Sequence, residues 1–146
     1  MKNSIAIYGS HDANICININ GVYRIYELER ITGIRNFNLS ANPIIGLAAI
    51  TKVYELIEKE YGSIAFENCY YAELSEAYIQ VMRNIFLCTK FIEVDHHLAH
   101  AACGLYQSNY DECLIFSYDA GGRALNGEIE TFCIYHAIKS QGQIKK

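Results

Sequence analysis

Hydrophobic and polar positions alternate along the first 28 residues of the chain. Ile15, Ile17 and Ile19 recur at every second position, which is the period of a β-strand with one buried face. Asn20-Gly21 follows, and this pair is the one that a tight type I′ hairpin prefers. The pattern therefore predicts a meander of three strands, at residues 4–8, 13–20 and 22–28.

The periodicity becomes helical after an irregular stretch at residues 29–42. Asn42 is expected to cap a helix that begins at Pro43 and stops at Gly62. The remaining patterns predict a strand at 63–71, a helix at 72–86, a strand at 89–94, a helix capped by Asp95 that ends near residue 108, and strands at 112–118 and 129–135. A meander combined with helical crossovers indicates an α/β fold with a mixed sheet.

Composition narrows the class of protein. With 146 residues, 51% of them hydrophobic and 19% charged, the chain resembles one globular domain rather than a disordered segment. A net charge of −4, with no basic cluster before the last two lysines, argues against a nucleic acid partner. No hydrophobic run approaches the roughly 20 residues that span a bilayer, so no membrane partner is expected. The six cysteines form no C-x-x-C pair and no secretory signal is visible, so we expect reduced thiols and a cytoplasmic location.

The run His96-His97-Leu98-Ala99-His100 contains three of the five histidines. Residues four apart lie on the same face of a helix, so His96 and His100 can direct two imidazoles at one point. His97 lies about 100° round the helix. The alternative is that these histidines form the exposed polar side of an amphipathic helix.

The next strand leads into Asp119-Ala120-Gly121-Gly122. A carboxylate at a strand end is accessible to a cation, and the glycines permit a sharp turn whose N–H groups can face a phosphate. Two imidazoles and one carboxylate suit a divalent transition metal such as Fe²⁺, with Mg²⁺ or Mn²⁺ as alternatives. Taken alone, the Asp-x-Gly-Gly sequence is equally consistent with an ordinary turn.

Several of these motifs together resemble a known family, the O-carbamoyltransferases of antibiotic and nodulation-factor biosynthesis. The resemblance begins with a His-Asp loop, a hairpin and a Glu-rich stretch, and continues with the histidine run and the Asp-x-Gly-Gly sequence. The segments that carry it are Gly9-Ser10-His11-Asp12-Ala13, Asn20-Gly21, Glu27-Leu28-Glu29-Arg30, His96-His97-Leu98-Ala99-His100-Ala101-Ala102 and Asp119-Ala120-Gly121-Gly122. The chain departs from the family pattern at Gly33, Asn36 and Ala120.

The resemblance implies an actin/Hsp70/sugar-kinase-like fold, related to the enzymes that place threonylcarbamoyl groups on tRNA. Residues 1–111 would form the first lobe and 112–146 the opening strands of an incomplete second lobe. His96, His100 and Asp119 would be the metal ligands, and Gly121 and Gly122 would hold the phosphates of ATP or carbamoyl-adenylate.

The resemblance also implies that His11 is a general base on the acceptor hydroxyl, a role that suits an imidazole near neutral pH. The alternative for His11-Asp12 is a turn in which the side chain bonds its own backbone. Glu29 and Arg30 would line the same cleft, or form a surface ion pair.

Enzymes of this family are several times longer than the chain. We therefore expect an N-terminal part of a carbamoyltransferase without complete activity alone. Its expected partners are a hydroxyl acceptor, a nucleotide, and either the missing lobe on another chain or a second copy, through a surface containing Cys133, Ile134 and Ile138. The alternatives are a non-catalytic partner-binding protein that kept the fold, and a metal-binding protein of another family.

Overall fold

A computed structural model describes residues 3–146. The chain divides into two compact units, one that extends to Glu93 and one that begins at Val94. The histidine helix packs within the second unit. The expected lobe boundary at residues 111/112 stays a prediction, as does the actin-like assignment of the lobes.

The N-terminal meander is confirmed. Strands β1 (Ser4–Tyr8), β2 (Asn14–Ile19) and β3 (Val22–Glu27) pair antiparallel in sequence order. Asn20 and Gly21 have φ values of 53° and 87°, as a type I′ turn requires. The isoleucines that alternate along β1 and β2 point into the core and are less than 10% exposed.

Three helices and two parallel strands complete the first unit. A short helix α1 (Leu28–Thr32) precedes α2 (Pro43–Tyr61), and β4 (Ala65–Ala72), α3 (Glu76–Ile85) and β5 (Leu87–Glu93) follow. The sheet order is β3-β2-β1-β4-β5, with β1, β4 and β5 parallel to one another. The fold is therefore mixed α/β, as predicted.

Some element boundaries differ from the predictions. Helix α2 begins and ends where expected, but the Asn42 side chain makes no capping hydrogen bond. Helix α3 begins at Glu76 and not at residue 72, because β4 continues to Ala72. Helix α1 lies in a stretch that was expected to be irregular.

The second unit is a helix packed on a three-stranded antiparallel sheet. Its elements are α4 (His96–Gln107), β6 (Glu112–Arg123), β7 (Ile129–Ile138), a 3₁₀ turn at Lys139–Gln141, and β8 (Gln143–Lys145). Ala101 of α4 packs against Cys133 and Tyr135 of β7. The expectation that Cys133 would be uncovered is wrong, because strand alternation turns it toward the helix, where it is 2% exposed.

Strand β6 does not end at Tyr118, which corrects the expected boundary. It continues to Arg123, and its register with β7 shifts between the pairs Tyr118–Phe132 and Gly122–Glu130. Three residues of β6 therefore lie opposite one residue of β7. The Asp-x-Gly-Gly sequence forms a bulge within a hairpin and not a turn after a strand.

Within residues 3–146, none of the helices has both the length and the apolar character needed to cross a bilayer.

Candidate metal centre

Helix α4 supplies the histidines from its first two turns. Asp95 is the N-cap, and its side chain accepts a hydrogen bond from the Leu98 N–H at 2.9 Å. His96 is 6% exposed, so it does not lie on an exposed polar face. His100, one turn later, is largely exposed and points its ring toward His96, with 4.7 Å between ring centroids.

Strand β6 delivers the carboxylate by simple alternation. Ser117 and Asp119 are two residues apart and share the face that packs on α4. The bulge begins directly after Tyr118, where the regular pairing of β6 with β7 is interrupted. Bulges of this kind redirect side chains at functional sites.

The three predicted ligands converge. Asp119 Oδ2 lies 2.8 Å from His96 Nε2 and 3.4 Å from His100 Nε2, and the two nitrogens are 3.1 Å apart. From these separations, an ion about 2.1 Å from each atom would have ligand–metal–ligand angles between about 84° and about 108°. Such a triangle suits one face of an octahedral or tetrahedral ion and leaves the remaining positions for water or substrate. The donor set therefore fits a divalent transition metal.

The two oxygens of Asp119 have separate contacts. Oδ1 accepts a hydrogen bond from the Ala120 N–H at 2.6 Å, which fixes the carboxylate, while Oδ2 faces the imidazoles. The hydrogen bond from His96, followed by that from Ala120, lowers the pKa of the Asp119 carboxyl from 3.8 to about 2. The carboxylate is therefore ionised and held in place at neutral pH.

Gly122 provides space for His96. A Cβ atom at this position would lie 2.2 Å from His96 Cδ2 and 2.5 Å from Cγ, so any side chain would displace the ring. Neither Gly121 nor Gly122 has a positive φ, so neither is needed for a sharp turn. Their expected role in holding phosphate stays a prediction.

His97 is a functional candidate that the sequence reasoning left without a role. It is 1% exposed, and its Nε2 lies 2.8 Å from the Glu130 carbonyl oxygen. Because a carbonyl only accepts, Nε2 donates this bond, and Nδ1 of the neutral ring accepts from the Ser117 hydroxyl at 2.7 Å. Its position inside the histidine run was the available signal.

His11 lies in the other compact unit. Its Nδ1 is 3.0 Å from Asp12 Oδ2, and both side chains are mostly exposed. A cleft of about 320 Å³ is lined by Asp12, Asn14, Ile25, Glu27 and Glu29. Arg30 forms an exposed ion pair with Glu27, and Glu29 is one of the residues that line the cleft.

Comparison with known proteins gives a likeness of fold. The sequence matches no protein-family model, and no curated protein sequence matches it. Among solved structures it is similar to full-length HypF in a phosphate- and nucleotide-bound form, with a TM-score of 0.65 and 18% sequence identity. The match covers 92% of this chain and 17% of the HypF chain, so the chain spans a small part of that protein's length.

Proposed function

We propose that the chain carries the metal- and phosphate-binding part of a carbamoyltransferase, and that it needs further polypeptide for activity. The observation that supports this most directly is that three ligand atoms, Nε2 of His96, Nε2 of His100 and Oδ2 of Asp119, lie within 3.4 Å of one another. The fold likeness to HypF, whose structure is in a phosphate- and nucleotide-bound form, supports it independently.

In the proposed reaction, a carbamoyl group moves from carbamoyl-adenylate to an acceptor hydroxyl. A divalent metal bound by the triangle would supply a Lewis acid that neutralises phosphate charge. His96, His100 and Asp119 would hold that metal, and the backbone N–H groups of Gly121 and Gly122 are the proposed phosphate donors. The acceptor oxygen attacks the carbamoyl carbon, and the bond to the phosphate oxygen breaks, so AMP leaves with the bonding electrons.

His11 is the proposed base for the acceptor proton. With its Nδ1–H donated to the Asp12 carboxylate, the Nε2 lone pair is left to take that proton. Asp12 also lines the cleft described above, together with Glu27 and Glu29. Carboxylates accept hydrogen bonds from hydroxyl groups, so this cleft suits a polyhydroxylated acceptor.

Metal titration tests the site. Purified protein should bind Fe²⁺, Mn²⁺ or Co²⁺ at close to one ion per chain, measured by elemental analysis and calorimetry. His96→Ala and His100→Ala should each lose most of this affinity because each removes one of three protein ligands. His136→Ala is the matched control, since His136 is exposed in the same unit and pairs with Glu112.

Nucleotide binding tests the phosphate half of the proposal. ATP should bind more tightly to metal-loaded protein than to protein treated with a chelator. Absence of metal binding in the wild type, with or without ATP, would rule out the proposed site.

A second function, binding of a partner protein, is favoured by the outer face of the β6–β7 hairpin. Five large apolar side chains share this face and are each 45% or more exposed: Leu114, Phe116, Tyr118, Phe132 and Ile134. Contiguous apolar patches of this kind mark interaction surfaces. Of the residues expected to be uncovered, Ile134 belongs to this face.

Sedimentation tests this second candidate through self-association. Phe116→Ser should weaken association of the chain, because Phe116 is 63% exposed at the centre of the face. Ile44→Ser is the control, since Ile44 is 85% exposed on α2, in the other unit. A wild-type protein that stays monomeric at high concentration would leave the metal–phosphate proposal as the better one.

A further inference from the structure

His97 is the one histidine of the run that stays outside the metal triangle. Its ring is nevertheless more deeply buried than that of His96. A buried imidazole is costly unless both ring nitrogens find partners, and both do: Nδ1 with the Ser117 hydroxyl and Nε2 with the Glu130 carbonyl. Such an arrangement holds the ring in a single orientation.

The two partners of His97 lie on either side of the bulge. Ser117 comes two residues before Asp119 on β6, and Glu130 of β7 is the register partner of Gly122, with which pairing resumes. The side chain of His97 therefore ties helix α4 to both strands, once before the bulge and once after it.

This double attachment matters because the bulge itself lacks regular pairing. Three residues, 119–121, oppose a single residue of β7, so the ladder does not fix the place of Asp119. The place of Asp119 then depends on where the two ends of the bulge lie relative to α4, which carries the other two ligands. Both ends are held by contacts with His97: Ser117 directly, and Gly122 through Glu130.

We propose that His97 is a positioning residue for the metal site, which sets the distance of Asp119 from His96 and His100 without touching the ion. This inference rests on the proposed metal-binding function. It assigns His97 to the layer of hydrogen bonds that surrounds the ligands, where substitutions typically lower metal affinity by about 10- to 100-fold.

Two substitutions distinguish the effect of the His97 hydrogen bonds from the effect of its side-chain volume. His97→Leu fills a similar volume but removes both hydrogen bonds. His97→Gln restores one acceptor and one donor, so it can bond the Ser117 hydroxyl and the Glu130 carbonyl together. Co²⁺ is the probe, because its visible absorption reports the geometry of the ligands as well as the affinity.

We expect His97→Leu to bind Co²⁺ about 10-fold or more weakly than the wild type, with an altered visible spectrum and unchanged far-ultraviolet circular dichroism. His97→Gln should recover most of the affinity and the wild-type spectrum. A merely structural role would change stability without changing the spectrum of the bound ion.

The outcomes distinguish failure of the proposed metal-binding function from failure of the positioning role of His97. If the wild type does not bind Co²⁺, the proposed metal function fails. If the wild type binds and His97→Leu binds equally well with the same spectrum, only the positioning role fails. Should His97→Leu be unfolded, Ser117→Ala decides: weaker binding by a folded protein supports the role, and unchanged binding overturns it.

Discussion

Gly122 shows how a single missing side chain shapes the candidate site. The His96 ring occupies the space that a Cβ atom at this position would need. The neighbouring Gly121 has no such constraint, since its Cβ would meet only Ile129 Cγ2 at 3.0 Å, the end of a side chain. In the Asp-x-Gly-Gly sequence, the His96 ring therefore requires a glycine at position 122 but not at position 121.

Gly122→Ala should weaken metal binding by about 10-fold or more, because the added methyl displaces a ligand. Gly121→Ala is the matched control, because its added methyl meets Ile129 and not a ligand. It should bind metal within about 2-fold of the wild type. Calorimetry with Co²⁺ measures both. Equal affinities for the two variants would show that the His96 ring can move without losing the ion.

Asp119 should make the stability of the metal-free protein pH-dependent. The hydrogen bonds from His96 and Ala120 hold the pKa of its carboxyl at about 2 in the folded protein, against about 3.9 in an unfolded chain. A lowered pKa stabilises the folded state above about pH 4, and this contribution is lost as the pH falls through about 2. With 31% of the side chain exposed, solvent screening limits the effect to about 1 kcal/mol.

Urea unfolding in the presence of a chelator measures this contribution. The free energy of unfolding of the wild type should exceed that of Asp119→Asn at about pH 6, and the difference should shrink by about pH 3. A difference that stays constant over this range would mean that the ionised carboxylate does not stabilise the fold.

Part of the candidate site was accessible from residue spacing. Helical periodicity places His96 and His100 on one face. Asp119 was expected just after a strand, and it faces the same side as Ser117 because β6 continues past Tyr118. The burial of His97 was not accessible, because its partners lie 20 and 33 residues away in the chain. No local pattern encodes such contacts.

At the scale of elements, helix α4 depends on its first turn. The Asp95 side chain accepts from the Leu98 N–H, and the Tyr135 hydroxyl donates to the same oxygen at 3.5 Å. The N-cap therefore fixes the start of the helix that carries two of the three ligands.

Asp95→Ala should destabilise the start of α4 by about 1 kcal/mol, because the orphaned N–H loses its acceptor. Hydrogen exchange of the first-turn amides of α4 should accelerate accordingly. Ser75→Ala is the control, since Ser75 is the N-cap of α3 but its side chain makes no capping hydrogen bond. Similar acceleration at both helices would contradict a specific role for Asp95.

Element boundaries were predictable where a local signal sets them. Pro43 and Gly62 bracket α2, and Asn20-Gly21 sets the first hairpin. The end of β6 was not predictable, because it depends on pairing with β7 beyond the bulge. The short elements α1 and β8 contain five and three residues, too few for a periodic pattern to identify.

At the scale of the molecule, each compact unit uses its apolar residues differently. The first unit covers its five-stranded sheet with a large core in which Phe37, Phe66 and Phe86 are fully buried. The sheet of the second unit is covered by α4 on one face, and its other face exposes aromatic and aliphatic side chains. The sequence predicted an uncovered surface here but misplaced Cys133, since the choice of face depends on where the helix packs.

Metal binding should act mainly on the second unit, because all three ligands lie between His96 and Asp119. A ligand that binds only the folded state adds about 2.7 kcal/mol of stability at a concentration 100 times its dissociation constant. Hydrogen exchange with and without Co²⁺ should therefore show slower exchange in peptides from α4, β6 and β7. Peptides from β1 and β2 supply no ligand and serve as the internal reference. A His96→Ala, His100→Ala double variant should lose the protection, and protection that persists in it would mean that the ion binds elsewhere in the chain.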